Sequence, residues 1–319
     1  MWRLTDYEAA AELVHAVVPP TPQYAWPLLS ARAGCQVHVK HENHTPTGAF
    51  KVRGGLVYCS RLPKGTPGLI SATRGNHGQS LAFAGRRHGL AVTVLAPRGN
   101  SVEKNQAMKA WGAELVEHGR DFQEAKDEAY RRAEQDGLAF VPSFHPNLVL
   151  GVGTYALEFL QAFPDLDTVY VPIGMGSGIC GVIDVRDALG SKTRVVGVQA
   201  ATAACYALSL AAGRLVSTET CNTIADGVAT RVPDPDAFQI IRRGAERVVT
   251  VTEDEIAAAM RAYYTDTHNL AEGAGAAPLA ALLKEREVMA GRKVGLILTG
   301  GNVDLALFAR LMAAPPLIK

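Results

Sequence analysis

No pairing of cysteines organises this chain. Cys35, Cys59, Cys180, Cys205 and Cys221 are odd in number, scattered, and free of any C-x-x-C spacing. That argues against a disulfide framework or a zinc site and suits reduced thiols in a cytoplasm. An excess of basic charge is missing too. The 32 Lys+Arg stand against 31 Asp+Glu, too even a balance to hold a nucleic-acid backbone. No apolar run approaches membrane-spanning length, and the first six residues lack the apolar core of a signal peptide. The expectation is a soluble cytoplasmic protein with no nucleic-acid or membrane partner. Repeats, low-complexity tracts and charge runs are absent as well. What remains is an ordinary globular composition, 48% hydrophobic and 20% charged, over 319 residues, which is long enough for two lobes.

The hydrophobic pattern then sets the fold class. Thr5 with Glu8 has the form of a capping box opening a helix that ends before Pro19-Pro20. Gln36–Lys40 alternates as a short strand would. Beyond it the chain alternates, with strands at 68–73, 91–95, 113–117, 168–171, 195–198 and 294–298 and helices at 50–60, 78–88, 101–111 and 122–135. Strands apolar on both faces and separated by helices predict parallel α/β sheets with ligands at the carboxyl ends of the strands. Pro63–Gly68 and the Asp- and Pro-rich stretch Cys221–Asp236 read as flexible.

One lysine stands out. Thr45-Pro46-Thr47-Gly48-Ala49-Phe50-Lys51-Val52-Arg53-Gly54-Gly55 sets Lys51 directly after an aromatic. By itself this fits a snorkelling lysine on a helix. In an apolar pocket the same amine loses affinity for its proton and becomes a nucleophile and base that forms Schiff bases, including with pyridoxal phosphate (PLP). Three glycine-bearing turns follow strands. Arg74-Gly75-Asn76-His77-Gly78-Gln79 is either a common turn or an anion-binding helix start. Gly174-Met175-Gly176-Ser177-Gly178 offers backbone N–H groups to a phosphate. Its continuation to Gly181 also satisfies the dinucleotide pattern G-x-G-x-x-G, although the next strand ends in Gln199 where that pattern expects an acid. Thr299-Gly300-Gly301-Asn302 either turns the chain or presents a hydroxyl to a ligand ring.

Taken in order, these stretches, together with Ala225-Asp226-Gly227-Val228-Ala229 and Glu272-Gly273-Ala274-Gly275-Ala276, resemble the serine/threonine dehydratase family of fold-type II PLP enzymes. The resemblance implies a two-lobe, tryptophan synthase β-like α/β fold, each lobe a mostly parallel sheet flanked by helices. A large PLP-binding domain (1–55 and 147–319) would hold an inserted small domain (56–146). It implies that Lys51 carries PLP covalently and that Phe50 packs beside it. Asn76 would meet the ring hydroxyl, and the amides of Gly174, Met175, Gly176, Ser177 and Gly178 the phosphate. Thr299 would face the pyridine nitrogen, with Glu272 near that edge. Thr73, Arg74, Gly75, Asn76, His77 and Gly227 would receive an amino acid substrate. The implied activity is an ammonia-lyase that converts L-threonine or L-serine to a 2-oxo acid and ammonia, in a homodimer or higher homo-oligomer.

Departures from the family pattern narrow this. Arg74 stands where the racemases place a serine base, and a guanidinium stays protonated, so racemisation is disfavoured. Gln199 and Cys205 stand where relatives place cation-binding carboxylates, so no metal is expected. Because the chain ends soon after the Thr299 motif, no regulatory domain of the biosynthetic type is expected. His145 reads as a capping residue, whereas His41, His44 and His118 show no partner pattern. Rival readings are β-replacement, other 3-hydroxy amino acids (phenylserine, hydroxyaspartate, a hydroxyectoine route), a nicotinamide oxidoreductase, and a ligand sensor on a degenerate site.

Overall fold

The computed structural model describes residues 2–313. Among them, ten strands form two separate sheets. The six-stranded sheet takes β1 (Gln23–Ala25), β2 (Gln36–His41), β7 (Thr168–Pro172), β8 (Arg194–Ala200), β9 (Arg247–Val251) and β10 (Lys293–Leu298) in the order β1-β2-β10-β7-β8-β9. Every pairing in it is parallel except that of the edge strand β1 with β2. The second sheet is wholly parallel, with β3 (Leu69–Ala72), β4 (Val92–Ala96), β5 (Glu114–Glu117) and β6 (Ala139–Phe140) in the order β5-β4-β3-β6. The α/β class read from the apolar strands is therefore the fold.

The register explains where chemistry collects. His41 of β2 lies level with Leu298 of β10, and Pro172 of β7 with Val198 of β8. The segments that leave these strands at their carboxyl ends are thereby delivered to one edge of the sheet.

Some local expectations shift. The first helix is Leu4–His15, and Thr5 lies inside it rather than at its cap. The Arg3 N–H donates to the Asp6 carboxylate at 2.9 Å, two residues earlier than the Thr5/Glu8 box. Trp2 fixes that early start by donating its indole N–H to the Pro146 carbonyl. The helix expected from Gly78 begins at Asn76, so Asn76 and His77 belong to its first turn. Strands β1, β6 and β9 went unread because two are very short and β9 is only half-buried. Cys221–Asp236 is not simply loose. It contains a 3₁₀ turn at Asp226–Val228, and Asp234 caps the Pro235–Gly244 helix by accepting from the Asp236 and Ala237 amides. His145 is the expected cap, its Nδ1 accepting the Asn147 N–H at 3.1 Å.

Behind the Lys51–Ser60 helix lies a buried cluster of four charges. Arg53, with no solvent exposure, donates to Glu42 at 2.7 and 3.0 Å and to Glu158 at 2.6 and 3.1 Å. Lys40 shares Glu158. Burial opposes charge on Arg53, and the two carboxylates outweigh it.

Candidate active site

Lys51 opens the Lys51–Ser60 helix, and the backbone just before it is stitched to β10's exit. The Phe50 N–H donates to the Thr299 carbonyl at 3.0 Å, Gly301 N–H to Gly48, and Glu272 N–H to Gly300. Three stretches far apart in sequence thus form one wall. The Lys51 amine donates to Ser177 Oγ at 3.0 Å and lies 4.9 Å from the Phe50 ring centroid. Burial, opposed in part by the Glu272 charge, brings its pKa down to about 8.

The Gly174–Gly178 turn follows β7 and ends in the Ser177–Ala188 helix. Two of its glycines are required sterically. Gly176 has φ +105°, and a Cβ on Gly174 would stand 2.3 Å from the Gly227 carbonyl oxygen. Met175 and Gly178 offer their carbonyls to the hydroxyls of Tyr206 and Tyr155, so the turn is fixed from its carbonyl side. A Cβ placed on Gly178 would come within 3.5 Å of the Phe50 ring.

Asn76 donates to Glu272 Oε1 at 2.7 Å and accepts from Asn302 Nδ2 at 2.8 Å. Glu272 therefore sits directly on the Asn76 amide. Its other oxygen is buried without a hydrogen-bond partner, with Lys104 Nζ at 3.7 Å. Burial raises the Glu272 carboxyl pKa against the pull of Lys104. Thr299 is buried beside this group. In the preceding turn, the Thr73 hydroxyl accepts the Gly75 N–H at 3.1 Å. Arg74 leaves 40% of its side chain exposed and reaches Asp226 only at 4.0 Å. Burial, reinforced by the Lys51 charge, pushes buried His77 down to about 3 and so keeps it neutral, and its Nε2 has no partner. Gly227 is exposed at the rim.

Lys104 was not foreseen. It lies across Gly75 and joins Asp226 at 3.0 Å. Burial pulls its pKa down, but Glu272 and Asp226 outweigh that and hold it charged. In sequence it is one more lysine on an amphipathic helix, and nothing there marks it.

Four helices begin here, at Lys51, Asn76, Ser177 and Gly273. Their free N–H groups and positive dipole ends favour a ligand with several negative charges. A dinucleotide has less to recommend it. Gln199 spends its side-chain oxygen on the Tyr206 and Ala207 amides and its NH₂ on Cys205 Sγ, so it holds a helix start instead of a ribose. Among the described residues no cluster of metal-ligating side chains occurs.

Comparison with known proteins agrees with this geometry. Residues 14–300 match the family model described as pyridoxal-phosphate dependent enzyme. The chain is 39% identical over 279 residues to an L-threonine ammonia-lyase of Geobacter sulfurreducens, covering 86% of this chain and 69% of that one. It is 32% identical over 310 residues to an L-threo-3-hydroxyaspartate ammonia-lyase of a Pseudomonas species, covering 96% and 97%. Its fold superposes on the processed form of threonine deaminase isoform 2 from Solanum lycopersicum with a TM-score of 0.91 at 29% identity, covering 98% of this chain and 94% of that one. An amine poised at a glycine cradle, matched along nearly the whole chain, places the protein in the family of pyridoxal-phosphate dependent enzymes.

Proposed function

We propose that this chain is an ammonia-lyase that removes the β-hydroxyl and the amine of L-threonine or L-serine, giving a 2-oxo acid and ammonia. The observation that carries the reading is the Lys51 amine held 3.0 Å from Ser177 in the glycine turn. The residues fit PLP on three counts: a lysine with a depressed pKa, a turn at Gly174 and Gly176 that no side chain can enter, and an orphaned Glu272 oxygen. When bound, PLP supplies a conjugated sink for the electron pair left at the substrate's α-carbon.

The chain's own groups do the rest. Lys51 would hold the aldehyde and, when its amine is free, would take the α-proton at Nζ. The amides of residues 174–178 would hold the phosphate, and Phe50 would pack beside the ring. Asn76 and Glu272 would form the polar edge, and the Thr299 hydroxyl would serve the ring nitrogen without a full charge. The Thr73–His77 turn and Gly227 take the substrate. Arg74 cannot act as a base on the opposite face, which favours elimination over racemisation. In the same reading residues 56–146 form a small domain inserted into 1–55 and 147–319, and the protein works as a cytoplasmic homodimer or higher homo-oligomer, which solution sizing tests.

A second substrate is favoured by one observation. The half-exposed Arg74 guanidinium, only loosely engaged by Asp226, suits a side-chain carboxylate such as that of 3-hydroxyaspartate. The deciding experiment is the absorbance spectrum of purified wild type and Lys51→Ala, with 2-oxo acid release from threonine, serine, 3-hydroxyaspartate and phenylserine. A colourless wild type that binds a dinucleotide overturns the proposal.

A further inference from the structure

We propose that the Ser177 hydroxyl is the docking point of the Lys51 amine, accepting its N–H whenever the lysine is free of the cofactor and above all after Lys51 has taken a proton. The inference rests on the reading above and goes beyond it, since that reading uses only the backbone N–H of residue 177.

Among the described residues, Ser177 Oγ is the one hydrogen-bond partner of Lys51 Nζ, at 3.0 Å, and Ser177 is 2% exposed. A lysine chain has four rotatable bonds, and a single directed contact is what keeps the amine beside the turn. In the proton transfer the substrate Cα–H bond breaks, an N–H bond forms on Nζ, and the electron pair stays with the substrate carbon. The new ammonium lies where burial disfavours charge, with Glu272 Oε1 already committed to Asn76. A carboxylate in place of Ser177 would hold the proton too firmly for it to be passed on, and an apolar residue would leave the ammonium one acceptor short. A neutral hydroxyl avoids both.

Ser177→Ala keeps the cradle's amide and removes only this acceptor. In the apoprotein, the pH midpoint for labelling Lys51 with an amine-reactive reagent, read by peptide mass spectrometry, falls by about one unit, because the ammonium loses a bond that the neutral amine needs less. In the holoenzyme, deuterium exchange at the substrate's α-carbon slows about tenfold at unchanged KM. Ser177→Thr, which restores a hydroxyl, returns both readouts towards wild type, and Ser177→Gly behaves as Ser177→Ala. A Ser177→Ala protein with the wild-type Lys51 midpoint and wild-type exchange overturns the proposal, whatever its thermal stability. A wild-type apoprotein that fails to take up PLP sinks the functional reading instead, and the labelling midpoint still decides the Ser177–Lys51 contact.

Discussion

Lys40 and Lys51 stand at either end of one short segment, and the protein treats them in opposite ways. Lys40 spends its donors on the Thr21 carbonyl, the Gln23 amide oxygen and Glu158. Lys51 has one neutral partner. Burial lowers both pKa values; at Lys40 two carboxylates, Glu42 and Glu158, offset part of it, whereas Lys51, with only the Glu272 charge against burial, falls to about 8. The carboxylates divide likewise. Arg53 and Lys40 hold Glu158 down at about 2 despite burial, while Glu272 keeps one oxygen unpartnered. A buried charge with a full set of partners belongs to the frame, and one with an incomplete set is reserved for a ligand.

The most severe test of that division is chemical. Lys51→Ala lowers 2-oxo acid release by about 10³-fold or more and leaves the unfolding temperature near that of wild type, as calorimetry on the same samples checks. Removing a frame charge does the reverse. Glu158→Gln strips Lys40 and Arg53 of their shared counter-ion and destabilises the protein by about 3–5 kcal/mol, measured by urea unfolding. A loss below about 1 kcal/mol would dissolve the distinction.

A smaller effect depends on pH. The folded pKa of Lys51, about 8, lies below the 10.5 of an ordinary lysine, so the unfolded chain binds more protons between those values. Burial of this amine therefore costs stability below about pH 8, and the cost fades as pH rises towards 10.5. The apoprotein of Lys51→Met should exceed wild type by on the order of 1 kcal/mol at neutral pH, after allowance for the amine's partial contact with solvent, and the gap should close in alkali. Smallest of all, Glu272→Gln keeps an acceptor for Asn76 and removes a charge with no full partner. Its stability should hold or rise by about 1 kcal/mol, and a loss matching that of Glu158→Gln would contradict the comparison.

Much of this was legible in the residues because it was local. Strand, glycine turn and helix start are adjacent in sequence, so the 73–77, 174–178 and 299–302 turns could be placed before their neighbours were known. The frame was not legible, because Arg53 and Glu158 meet across a separation that no periodicity encodes. The Ser177–Lys51 contact and the Lys104 bridge were hidden for the same reason. A hydrophobic pattern reports which face a residue occupies, never what stands opposite. Asn76 shows a subtler limit. The motif identified it as a site residue, but its bond to Glu272 depended on a helix that starts two residues earlier than its apolar pattern suggests.

The four helix starts gathered at the site have a kinetic consequence. Their combined field extends beyond van der Waals range and draws multiply charged anions out of solution before any contact is made. Loading of the empty protein should therefore slow steeply as salt is added and the screening length shrinks, even where the final occupancy hardly changes.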